Sequence, residues 1–173
     1  MESTLERQFI DFSVQKLQQY SGEIDKCLAK LSTQQVWARG GKNENAIGNL
    51  VLHLCGNVRQ RVAAVAGQAH VRVRHEEFSA DGGMSKEELA NHLRSTVDEA
   101  VTQMKGFSAA DLERRLHVGE FNQSILESIY HMEVHFALHS GQIFFATKMM
   151  TGEDLGFYKP PQAAAGDSQG KRG

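Results

Sequence analysis

The sequence predicts an all-α fold, a four-helix bundle, on three observations. Its two prolines, Pro160 and Pro161, stand near the end of 173 residues, so no earlier segment loses a helical N–H to a pyrrolidine ring. Long segments repeat apolar residues at threes and fours, and none alternates at the period of a strand. Capping residues and glycine stops bracket those segments.

The first segment runs from about Ser3 to Leu31, with Leu5, Phe9, Phe12, Tyr20, Ile24, Cys27, Leu28 and Leu31 on one face and Lys16 joining by its stem. "TQQVWARGGKNEN" ends it and is expected to be a loop. The second follows Asn45 as N-cap, carries Ile47, Leu50, Leu54 and Val58, and stops near Ala66 with Gly67 behind it. A polar connection, "GQAHVRVRHEEFSADGGM", leads to Ser85, which with Glu88 makes a capping box for a helix reaching about Lys105. A short helical piece over Ala109–Leu116 comes next. The fourth long segment starts after Asn122 and runs to about Met150, with Gly152 as its stop and Met149 and Met150 as core filler. Residues 1–152 thus form the bundle. Residues 153–173, ending in "AAAGDSQGKRG", are expected to be a flexible tail. The order in which the helices pack is not written in the pattern.

Composition narrows the function. A chain of 173 residues suits one domain with a core large enough to enclose a polar site. A formal charge of −2 and a pI of about 6.4 provide no basic field for nucleic acid or anionic lipid, so neither is expected as a partner. The start, "MESTLERQF", has no apolar signal region, and no stretch has the length of a membrane span. Cys27 and Cys55 make neither a C-x-x-C motif nor a disulfide framework, which points to a reducing cytoplasm.

The segment "HMEVHFALHSGQ" carries the chemistry. His131, His135 and His139 stand four apart, and two imidazoles at that spacing can reach one metal ion at about 2.0–2.1 Å. All three cannot, because His131 and His139 lie roughly 12 Å apart along the axis. The competing reading is a row of core histidines bonded to backbone or to Glu127 and Ser128. A metal needs a further ligand from another helix, and "NAIGNLVLHLCGNVRQR" supplies one: His53 lies in line with Asn49, Asn57 and Gln60, a polar stripe on an otherwise apolar helix. Cys55, about 200° away on the wheel, cannot join it. Glu133 sits between His131 and His135 at the wrong offset for H-E-x-x-H and is expected at the surface. Without paired Glu-x-x-His motifs a di-iron site is ruled out, leaving a nitrogen-rich, mononuclear site or none.

These two segments carry a resemblance. "NLVLHLCGNVRQR" together with "HFALHSGQIFFATKMM" is similar to the DinB-like superfamily of four-helix-bundle metalloenzymes, and "RVRHEEF" to the Arg- and Glu-containing connector of one of its branches. The likeness covers nearly all of residues 5–152. It implies that His53, His135 and His139 bind a divalent metal and that His131 is spare. Relatives include bacillithiol- and mycothiol-dependent S-transferases and a thiol-dependent maleylpyruvate isomerase, so the resemblance implies a metal-dependent enzyme that transfers a low-molecular-weight thiol to a small electrophile in detoxification or stress.

Three neutral imidazoles leave one coordination position open, the arrangement of a catalytic zinc site; zinc is expected first, with nickel, manganese and iron compatible. Gln142, three residues past His139, is placed to orient a ligand ring, and Asn49 and Asn57 to orient His53 or a substrate, each weighed against a plain interhelical hydrogen bond. Gly56 and Gly141 give room. Arg59, Arg72 and Arg74 are expected to be solvated or to pair with Glu76 and Glu77 rather than to hold the carboxylates of a thiol. The pattern names no catalytic or thiol-binding residue. The alternatives are a noncatalytic metal-binding or protein-interaction bundle, with apolar surfaces forming a homodimer, and a metal-dependent hydrolase.

Overall fold

The computed structural model describes residues 4–157. Four long helices make the bundle: α1 (Leu5–Lys30), α3 (Ile47–Val65), α5 (Lys86–Lys105) and α7 (Ile125–Thr151). Helices α1 and α3 each pack against both α5 and α7, so the two that follow one another in sequence stand on a diagonal. The core between them is aliphatic, with Ile10, Leu17, Ile24, Val51, Leu54, Leu89, Leu93, Phe136 and Ile143 almost wholly buried.

Shorter elements fill the connections. The segment after α1 is not the expected plain loop: Ser32 accepts from the Gln35 N–H while the Gln35 side chain accepts from Ser32 N, and this capping box nucleates α2 (Thr33–Val36). The long polar connection holds α4 (Arg74–Ser79), which packs on α3. The piece expected over Ala109–Leu116 divides into α6 (Ala109–Glu113) and the strand β1 (Arg115–Val118). β1 pairs antiparallel with β2 (Phe121–Ser124), Leu116 opposite Gln123, across a turn where Gly119 has φ 61°. Buried Leu116 and Val118 alternate with exposed Arg115 and His117, but strands of four residues are too short to stand out in the pattern.

Boundaries shift for local reasons. Ala46, not Asn45, is the N-cap of α3, and its N–H donates to Asn49 Oδ1 at 3.0 Å. Ser124 caps α7 and shares a capping box with Glu127, so Glu127 is not a partner for the histidines. Gly152, with φ 69°, ends α7 as a left-handed cap.

The outward faces also depart from expectation. Leu5 and Phe12 of α1 are exposed, and Ser13 and Val14 face inward instead. On α7, Leu138 is 61% and Met149 71% exposed, so the methionine pair is not core filler. Leu155 and Phe157, in the segment expected to begin a tail, pack on the core, the Phe157 ring 5.0 Å from that of Phe144. Residues 158–173 of that segment lie outside the described residues.

Candidate metal centre

Helices α3 and α7 bring His53, His135 and His139 together, with one potential ligand atom from each lying within 4.8 Å of the others. Two nitrogens each 2.1 Å from a tetrahedral ion stand about 3.4 Å apart, a separation that small side-chain rotations reach. The His53 ring is 4.7 Å from that of His135 and 5.1 Å from that of His139. His131 stacks beyond His135 at 5.7 Å and is not one of the three.

Hydrogen bonds determine which nitrogen of each ring faces the cluster. His53 Nδ1 lies 2.9 Å from Glu77 Oε2 and also 2.9 Å from Arg72 Nη2. The guanidinium only donates, and it already has acceptors in Glu77 Oε2 at 2.7 Å and the His53 carbonyl at 3.1 Å. The arrangement that satisfies every group therefore has Nδ1–H donating to Glu77, which leaves the Nε2 lone pair of His53 for the cluster. His139 Nδ1–H donates to Gln142 Oε1 at 2.7 Å and frees its own Nε2 in the same way. His135 Nε2 is buried without any hydrogen-bond partner. Such an orphan costs about 1–3 kcal/mol, so a cation among the three rings is what the donor set fits.

Electrostatics keep His135 and His139 neutral. Burial first, then the neighbouring His139, His53 and His131, push the His135 imidazolium down to about 3. His139 is also lowered, chiefly by burial and against the hydrogen bond it donates to Gln142. Neutral imidazole is the form that ligates. For Glu77, burial pushes the carboxyl up, but hydrogen bonds from His53 and Arg72 and the guanidinium charge together outweigh it and hold the acid below its usual range. Glu77 is thus an anion, with 11% of its side chain exposed, between Arg72 and His53.

Loop packing puts Glu77 there. Asn49 Nδ2 donates to the carbonyls of Glu77 at 2.9 Å and Ala80 at 2.7 Å, and Arg39 Nη2 donates to Phe78 and Ala80. Asn49 is therefore a clamp on α4 and does not reach the rings itself. A Cβ on Gly56 would stand 2.0 Å from Glu77 Oε1, so the bare backbone of α3 seats the carboxylate. Gly141 meets nothing within 4 Å. The Phe78 ring covers His53 at 4.6 Å. Asn57 is buried with Oδ1 unpartnered, and Glu133, expected at the surface, is half-buried, with burial raising its carboxyl against the pull of the Lys16 charge. Sequence reasoning placed Glu77 only in a generic pairing with Arg72; the "RVRHEEF" likeness was the one signal that this connector belongs to the site.

Fold and site together define a DinB-like helical protein. The chain belongs to the family described as "Protein of unknown function (DUF1572)", whose model matches residues 4–162 and which is itself DinB-like. Two solved structures share the fold. A conserved protein from Enterococcus faecalis is 12% identical with a TM-score of 0.71, over 83% of this chain and 97% of that one. A DinB-like protein, YjoA, from Bacillus subtilis is 14% identical with a TM-score of 0.64, over 86% of this chain and 99% of that one. No curated protein matches the chain.

Proposed function

We propose that this chain is a divalent-metal-dependent enzyme whose ion is held by His53, His135 and His139 with one coordination position open to a small molecule. The observation that carries the reading is the buried, unpartnered His135 Nε2 beside two imidazoles whose other nitrogens are already engaged. A bound divalent ion would hold a thiol as thiolate, or lower a water to a pKa near 7. The chain's own residues do the rest. Glu77 and Gln142 fix two rings, burial keeps His135 neutral, and the partial exposure of His135 and His139 leaves a way in from solvent.

Thiol transfer to a small electrophile is the reaction this reading favours, with zinc as the metal and the cytoplasm as the setting. None of the described helices is long and apolar enough to cross a membrane. Purified protein should carry one metal per chain, lost in His53→Ala and His139→Ala and kept in His131→Ala. Metal retained in the first two would reject the assignment. The holo protein is then screened with bacillithiol, mycothiol or glutathione against monochlorobimane. Acceleration that depends on metal is expected; none with any thiol would point to a hydrolase or to a noncatalytic bundle.

One observation favours a second reading, a bundle that binds metal and a second copy of itself. Leu126, Tyr130, Val134, Leu138, Phe145 and Met149 are each at least 43% exposed and form an apolar stripe along α7. The stripe covers about 35 Å of helix.

A further inference from the structure

Arg61 is buried, 7% exposed, yet no described carboxylate pairs with it. Its Nη1 donates to the Asn57 carbonyl of its own helix at 3.1 Å, and its Nε has no partner. Burial first, then the like charge of Arg72, push its pKa down to about 10, which leaves it cationic at neutral pH. A buried charge without a counter-ion is among the costlier features a fold can hold, and natural chains keep such features where a ligand uses them.

Its position says which ligand. His53, Asn57 and Arg61 follow one another at four-residue spacing along one face of α3. The α7 row runs the opposite way beside them: His53 meets His135 and His139, while the charge of Arg61 is felt at His135 and His131. The guanidinium doubles back over the turn of Asn57, which lies about 6 Å along the axis from His53. Arg61 and Arg72 against Glu77 leave this lane net positive before any metal charge is added. Asn57 Oδ1 stands in the same lane, buried and without a donor.

We propose that Arg61 is the anchor for a carboxylate on the small molecule that occupies the metal centre, with Asn57 Oδ1 accepting an N–H or O–H of the same molecule. The substrate or co-substrate is then a short organic acid with a metal-seeking atom at one end and a carboxylate at the other. The inference rests on the metal reading above for the position of the other end. The competing role for Arg61 is structural: it lines a cavity of about 20 Å³ with Ser128 and Met132, room for one bridging water.

The test uses the full chain loaded with cobalt and two thiols of equal length, 3-mercaptopropionate and 3-mercaptopropan-1-ol, titrated by thiolate–cobalt absorption. The acid should bind roughly 10- to 100-fold more tightly than the alcohol, as a charge-assisted bond to a guanidinium provides. That preference should fall to about one in Arg61→Met and be largely kept in Arg61→Lys, with cobalt content unchanged in both. Arg61→Met should also melt at or above the wild-type temperature, because it removes an unpaired buried charge. An unchanged acid preference in Arg61→Met overturns the proposal, and so does a destabilised or unfolded Arg61→Met, which would mark a structural arginine. A chain that takes up no cobalt sinks the metal reading alone. The anchor is then read on the metal-free chain, as a rise in melting temperature with 3-mercaptopropionate over the alcohol that Arg61→Met abolishes; no such rise overturns it.

Discussion

At His53 the imidazole lies between the Glu77 carboxylate, 2.9 Å from its Nδ1, and the rings of His135 and His139. Ring orientation and ligand basicity both depend on Glu77, and Glu77 depends on Arg72, whose Nε and Nη2 meet its two oxygens at 2.7 Å each. Glu77→Gln keeps an acceptor for Nδ1 but loses the charge and the fork. Metal affinity, measured by competition with a chelator, should fall about 10- to 100-fold. Wild-type affinity in that variant would show that Glu77 does not support the ligand. The histidines were legible in the sequence because four-residue spacing on one helix is a local property. Glu77 was not, because 24 residues of chain separate it from His53 and no periodicity in the connector distinguishes it from exposed Glu76.

The element that carries Glu77 is α4, held on α3 by the Asn49 and Arg39 hydrogen bonds to its carbonyls and by the lack of a side chain at Gly56. Alanine at a mid-helix glycine ordinarily stabilises a helix by roughly 0.5–1 kcal/mol. At Gly56 the new methyl would collide with Glu77 Oε1, so the expected result is a folded chain, with α3 intact by circular dichroism, whose metal affinity drops as in Glu77→Gln. The double variant should be little worse than either single one, since both remove the same interaction. Full additivity would show that Gly56 and Glu77 act separately. Among the elements, the four long helices were readable from apolar repeats, and the Ser85–Glu88 box from its spacing. The Ser124–Glu127 box has the same signature but lies behind a strand, and Asn122 drew the boundary two residues early.

For the whole molecule, the wheel of α7 sets the histidine row between the buried face, with Met132, Phe136 and Ile143, and the outward apolar stripe. A second copy on that stripe would lie beside the metal centre, and stable interfaces cover about 800 Å² per partner, a scale a stripe of this length can meet. Wild-type protein should therefore sediment with the mass of two chains, and Leu138→Glu combined with Phe145→Glu with the mass of one, its metal content unchanged. A wild type that sediments as a single chain would dispose of the homodimer.

Helical class, the long elements and the candidate imidazoles were set by the sequence alone, because periodicity and capping act over a few residues and are written wherever the chain is helical. The diagonal placement of α1 and α3, the seating of Glu77 on Gly56 and the isolation of Arg61 from any described carboxylate were decided only in the tertiary structure. Each depends on which distant surfaces meet, and that follows from burying several apolar faces at once rather than from any one segment.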